Sequence, residues 1–265
     1  MLRLRTVCAA YCVFAKTGGM CGESMTTEVK PIIRLENVSK VYLIGTTRLR
    51  ALDRVSLDIM PGEFLCICGR SGSGKSTLLN MMAGLEPPTR GQIVISDQNI
   101  ETLSESRLVR FRLQHVGFIF QQFNLFTYMN ALENVAMPLV YRGVSRSERK
   151  KLARDALEAV GLLSHANHKP SQMSGGQQQR VGIARALVSG APILFADEPT
   201  GNLDSRTSDD ILDLIRDITK KSGCTLIMVT HDTDIAKKAD RIVHLLDGRI
   251  TDIEIPEHIT KEEMA

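Results

Sequence analysis

The segment Gly69-Arg70-Ser71-Gly72-Ser73-Gly74-Lys75-Ser76 follows an apolar run, Phe64-Leu65-Cys66-Ile67-Cys68, and leads into Thr77-Leu78-Leu79-Asn80-Met81-Met82-Ala83. A strand ending in a glycine loop that opens a helix constrains the fold more than any other feature here. It calls for an α/β core with the loop outside the carboxyl end of a buried strand. The glycines let backbone N–H groups turn inward around an anion, and the helix N-terminus adds partial positive charge. Lys75 can reach outer phosphates, and the Ser76 hydroxyl can hold Mg²⁺. The arrangement points to a nucleoside-triphosphate site.

A second strand supplies acids. Ile193-Leu194-Phe195-Ala196 runs into Asp197-Glu198, and an uninterrupted apolar run of this length fits a parallel strand buried on both faces. Carboxylates at its end lie where ligands gather. Asp197 is placed to hold Mg²⁺ through its water shell, and Glu198 to orient and polarise an attacking water.

Ser174-Gly175-Gly176-Gln177 precedes a predicted helix from Gln178 to Val188. Serine with two glycines at a helix start makes another anion-binding end. One nucleotide does not need two such ends from one chain. A head-to-tail dimer explains both, with each ATP between one chain's glycine loop and the other chain's serine end.

Taken with Gln121, Asp204 and His231, these motifs resemble the nucleotide-binding subunit of ABC transporters, from about Ile32 to Ile250 and in family order. The resemblance implies that Tyr42 stacks on adenine and that Gly69 to Thr77 bind the phosphates. It implies that Gln121 touches Mg²⁺ and the attacking water, and that Ser174 to Gln177 are the family signature. Asp197 and Glu198 match the metal and catalytic acids. Asn202-Leu203-Asp204 matches the loop that communicates across the dimer, and His231 matches the γ-phosphate histidine. The signature normally begins with Leu, where this chain has Met173, a volume-conserving change.

Longer stretches resemble the lipoprotein-release and macrolide-export branch, with the cell-division ATPase a near relative. They are Phe120-Gln121-Gln122-Phe123-Asn124-Leu125, Asn167-His168-Lys169-Pro170-Ser171-Gln172 and Ala196 through Asp204. The implied activity is ATP hydrolysis coupled to transport. The implied partners are a second copy of the chain and integral membrane permease subunits. The alternative is an ATPase in a cell-division complex that transmits force without moving cargo. Chromosome-maintenance and ribosome-associated ATPases share the head, but the former need a long coiled coil and the latter usually two heads. Neither fits 265 residues.

A net charge of +3 and no block of five like charges give no ground for nucleic-acid binding. No apolar run approaches the roughly 18 residues of a membrane span, so transport requires separate membrane partners. The expected location is the cytoplasm, peripheral on the inner face of the membrane. The six cysteines do not suggest a disulfide framework. Cys66 and Cys68 are taken to point to opposite faces of their strand, and Cys224 to open another. His165 and His168 are taken as exposed loop histidines rather than a metal pair.

The expected fold is α/β: a P-loop NTPase core, an antiparallel β edge subdomain and an inserted α-helical signature subdomain. Residues 1–24 loosely imitate a secretory signal but lack a small-residue cleavage site. They are expected to be a disordered extension or an early-assigned start, with Met20 or Met25 as the true start. Residues 25–265 then form one ATP-binding domain, with the helical subdomain at about 123–176. Strands from Ile32 to Ile59 form the edge sheet carrying Tyr42, and Gln92 to Ile95 form another edge strand. Gly117 to Phe120 lead into the Gln121 loop, and helices span Ala131 to Tyr141 and Ser147 to Val160. Strands at Ile193 and Leu226 flank a helix from Ser205 to Lys221, and Arg241 to Ile250 close as a hairpin around Asp247-Gly248.

Overall fold

The computed structural model describes residues 30–256. The expectation for residues 1–24 falls outside the described residues.

Strands β1 (Ile33–Ile44) and β2 (Thr47–Ile59) pair antiparallel, and β1 also pairs with β4 (Arg90–Ile95). Ile33, Leu35 and Val38 are buried while Arg34, Glu36 and Asn37 face water, the alternation of a sheet covered on one face. The sheet order is β2-β1-β4-β5, where β5 is Gln98–Asn99. β4 is therefore flanked on both sides and is not the edge expected for Gln92 to Ile95.

The second sheet runs β10-β9-β3-β8-β7-β6: β3 (Phe64–Cys68), β6 (Val116–Ile119), β7 (Ile193–Asp197), β8 (Thr225–Thr230), β9 (Arg241–Leu246) and β10 (Arg249–Glu254). All neighbours are parallel except β10, the second arm of the hairpin at Asp247-Gly248. β3 and β8 are buried along their whole length, which accounts for their unbroken apolar sequences.

Two apolar layers cover this sheet. On one face Leu65, Ile67, Phe195, Ile227 and Val243 pack with Leu78, Leu79, Met81 and Met82 of α1 (Lys75–Met82) and with the antiparallel sheet. On the other face Leu194, Ala196, Leu226, Met228 and Ile242 meet a helical group. That group comprises α3 (Ala131–Tyr141), α4 (Arg146–Ala159), α5 (Gly175–Leu187) and α6 (Ser205–Ser222). The P-loop core, antiparallel subdomain and helical elements of the expected α/β fold are all observed. No helix among the described residues is long and apolar enough to cross a membrane.

Several expectations need correction. Helix α2 (Glu105–His115) was not foreseen; it buries only Phe111, so its apolar periodicity is faint. Helix α5 begins at Gly175, not Gln178, because Ser174 caps the first turn. Cys66 and Cys68 do not face opposite ways: residues two apart on a strand share a face, and their Sγ atoms are 3.8 Å apart in the helix-side layer. That contact and burial push the Cys66 thiol up. Cys224 is buried just ahead of β8 rather than opening it. His165 and His168 are half-buried, not exposed, with ring centres 5.0 Å apart.

Candidate functional site

The loop between β3 and α1 is shaped by its glycines. A Cβ on Gly69 would lie 2.3 Å from Leu245 O, and one on Gly74 would lie 2.5 Å from Ala51 O. Gly74, which caps α1, has φ +101°, a conformation side chains resist. Only glycine lets the chain wrap this tightly between β2 and β9. Gly248 N donates to Ser73 O, and Asp53 N donates to Gly248 O, so the C-terminal hairpin and β2 brace the loop.

A cleft of about 620 Å³ opens over this loop, lined by Tyr42, Ser71, Gly72, Gly74, Lys75, Ser76, Thr77, Glu198 and His231, together with Leu49, Arg50 and Ala51 of β2. Lys75 is only 7% exposed, and its ammonium donates to Gly69 O at 2.8 Å and to Arg70 O at 3.0 Å. Ser73 Oγ is buried with no partner among the described residues. The Tyr42 hydroxyl donates to Glu86 at 2.6 Å, and Lys40 Nζ lies 5.2 Å from the ring centre. Burial raises the Tyr42 pKa, and the Glu86 carboxylate adds to this.

The acids stand across the loop. Ser76 Oγ lies 3.4 Å from Asp197 Oδ1. Burial raises the Asp197 carboxyl above its usual range, against the opposing hydrogen bond from Ser76. Hydroxyl and carboxylate oxygens converging here are the hard donors Mg²⁺ takes, so the residues fit that ion. Among the described residues no cluster of three or more His, Cys, Asp or Glu marks a metal centre. A hard-ion site built on a hydroxyl, one carboxylate and a ligand's phosphates needs no such cluster.

Glu198 has φ +42°, rare for a residue with a side chain, and its N–H donates to Val229 O at 3.0 Å. Its Oε1 lies 3.0 Å from His231 Nδ1. Gln121 follows β6 and does not line the cleft. A Cβ on Gly201 would nonetheless be 2.7 Å from Gln121 Nε2 and 3.4 Å from Glu198 Oε2, so both side chains pack over Gly201. Asn202 Nδ2 also donates to Gln121 O at 2.9 Å.

Ser174 to Gln177 and Asp204 do not line this cleft. They lie near each other instead, linked through Thr207. Ser174 Oγ accepts from Gln177 N, and the Gln177 side chain accepts from Ser174 N, closing a capping box. Gly176 approaches Thr207 so closely that a Cβ would be 2.6 Å from its methyl. Thr207 donates to Asp204 through both N–H and hydroxyl, which holds the Asp204 carboxyl below its usual range. The Gly175 and Gly176 N–H groups at the start of α5 have no intrahelical acceptor. The structure thus gathers most of the predicted residues into two groups, a cleft and a separate capped helix end, with Asp197 and Gln121 beside the cleft through Ser76 and Gly201 rather than in its lining. Leu49, Arg50 and Ala51 had no sequence signal and enter only because β2 runs beside the glycine loop.

A family model described as ABC transporter matches residues 52–201. The macrolide export ATP-binding/permease protein MacB of Hyphomonas neptunium is 48% identical over 220 residues, which is 83% of this chain and 34% of that protein. The chain therefore spans about a third of that relative's length. The uncharacterised ABC transporter ATP-binding protein MJ0796 of Methanocaldococcus jannaschii is 47% identical over 223 residues, 83% of this chain and 95% of that one. The ATP-binding cassette MJ0796, solved as a dimer in a post-hydrolysis state bound to ADP and Pi, is similar with a TM-score of 0.78 at 44% identity. That match covers 84% of this chain and 98% of the other. A structure of cbiO1 from Clostridium perfringens, part of the cbiONQ complex, also gives 0.78, at 28% identity over 88% and 92% of the two chains.

Proposed function

The chain belongs to the ABC transporter family, and on that premise we propose that it is an ATP-binding and ATP-hydrolysing subunit that drives membrane partners by closing around nucleotide as a pair. The observation that carries this reading is the split between the cleft and the Ser174 helix end. A cleft lined by the phosphate loop, Tyr42, Glu198 and His231 lacks the second anion-binding end that the same chain presents elsewhere. A second copy, arranged head to tail, supplies it. The dimeric relative bound to ADP and Pi supports the arrangement.

In this reading the Gly69 to Thr77 backbone and Lys75 cradle the phosphates while Tyr42 stacks on the base. Ser76, Asp197 and Gln121 would hold Mg²⁺, which neutralises phosphate charge when bound. Glu198 accepts a proton from the attacking water, and Gln121 helps to orient that water. His231, tethered to Glu198, faces the γ-phosphate. Ser174 to Gln177 close on the partner's γ-phosphate, and Asp204 lies beside them to meet the partner. Hydrolysis removes the shared contact and lets the pair open.

Residues 25–265 act as one ATP-binding domain, with a helical insertion at about 123–176 that passes motion to the permease. The branch-like stretches and the MacB relative support export or lipoprotein release at the inner face of the membrane. The test is twofold: Mg²⁺-dependent ATP hydrolysis by the purified chain, and identification of the integral membrane protein that copurifies with it. No ATP turnover would refute the enzyme assignment. Copurification with a division permease in place of an exporter would refute the branch.

A further inference from the structure

Gln179 lies in the second turn of α5 and is completely enclosed, at 0% exposure. Its amide Nε2 donates to Pro199 O at 2.5 Å and reaches Phe120 O at 3.4 Å. Pro199 directly follows Glu198, and Phe120 directly precedes Gln121. One side chain therefore ties together the backbones that carry the two water-handling groups, while lying outside the cleft they serve.

Two further observations point the same way. Gln179 Oε1 is buried with no partner among the described residues, a cost that an apolar side chain of similar length would avoid. The other observation concerns backbone strain. Glu198, Phe123 and Asn124 have φ of +42°, +57° and +47°, conformations that persist only where surrounding structure holds them. Helix α5 reaches both strained segments: Gln179 through Pro199 O, the residue after Glu198, and Arg185 through Phe123 O at 2.8 Å and Asn124 O at 2.5 Å. Burial pulls the pKa of the half-buried Arg185 guanidinium below its usual value.

We propose that Gln179 is a positioning residue for hydrolysis, setting the placement of Glu198 relative to Gln121 and hence turnover, with no part in nucleotide affinity. This rests on the reading that those two side chains act on the attacking water. Because α5 begins at Ser174, the helix that presents its end to the partner's nucleotide also aligns the hydrolytic pair of its own chain. Closure at one end of α5 is thereby felt at Glu198 through a single amide.

The experiment compares full-length wild type with Gln179→Met and Gln179→Leu, which fill similar volume without a donor. Steady-state ATPase kinetics give kcat and KM, calorimetry gives ADP affinity, and hydrogen exchange follows residues 119–124 and 197–201. The expected result is a kcat lowered about 10- to 100-fold, as for a small misplacement of reacting groups. KM and ADP affinity stay within about threefold of wild type on this footing, and exchange rises in the two loops. An unchanged kcat in a folded variant overturns the proposal. So does a parallel loss of ADP affinity, or failure of both variants to fold, since the amide would then hold the frame rather than the site. A wild type without ATPase activity would instead sink the functional reading, and the same assay reports it.

Discussion

Glu198 Oε1 and His231 Nδ1 lie 3.0 Å apart, so the carboxylate after β7 and the imidazole after β8 form one hydrogen-bonded unit at the mouth of the cleft. Parallel pairing of β7 with β8 brings the two strand ends side by side, and Val229 O fixes the Glu198 backbone from the same neighbour. The sheet register therefore sets the distance between the groups assigned to the terminal phosphate.

Glu198→Gln keeps the shape and the contact with His231 but removes the proton acceptor. Turnover is expected to fall roughly 10²- to 10⁴-fold, the range for loss of a general base, with ATP binding retained. Single-turnover hydrolysis beside equilibrium binding checks it; a normal hydrolysis rate removes Glu198 from its role.

Lys75→Ala deletes a buried ammonium bonded to the phosphate loop. A hydrogen bond to a charged group contributes about 1.5–3 kcal/mol, so affinity should weaken roughly 10- to 150-fold. Calorimetric titration with ATP checks it, and unchanged affinity counts against the cradle.

The glycine loop, the acids and most strands were legible because each depends on local chemistry: apolar runs for buried strands, glycines for a tight loop, acids at a strand end. Most of what was missed depends on tertiary context. Helix α2 hides because only Phe111 is buried. Gln179 carries no signal of its own among three successive glutamines, yet α5 turns it into the interior, where the carbonyls of distant loops meet it. The Cys66 and Cys68 reading failed on pleat geometry alone, since i and i+2 share a face. Leu49 and Arg50 reach the cleft only through the close packing of β2 on Gly74.

Tyr42→Ala should weaken ATP binding roughly 5- to 150-fold, from about 1–3 kcal/mol of base stacking. Tyr42→Phe should stay near wild type, because stacking needs the ring and the hydroxyl already donates to Glu86. Binding titrations with both variants check it. Equal losses in the two would show that the hydroxyl, not the ring, carries the contact.

Asp53 links the hairpin to the loop brace: Arg249 Nε donates to it at 2.9 Å, and Arg249 first, with Arg50 adding to it, holds its carboxyl below the usual range. A depressed carboxyl contributes stability above its unfolded value, near pH 3.9, and loses that contribution as pH falls toward the folded value. Arg249→Gln should thus be less stable than wild type at neutral pH, with the gap narrowing below about pH 4. Thermal unfolding of both proteins across pH 3 to 8 checks it. A gap that is constant or widens in acid contradicts the linkage.

The claim that two copies share each nucleotide is tested most directly by the mass of the Glu198→Gln protein in solution. Light scattering at saturating Mg·ATP, with the permease supplied if needed, should report a particle containing two chains, reverting to one when ADP replaces ATP. A Glu198→Gln protein that binds ATP yet stays monomeric under both conditions would contradict the shared pocket.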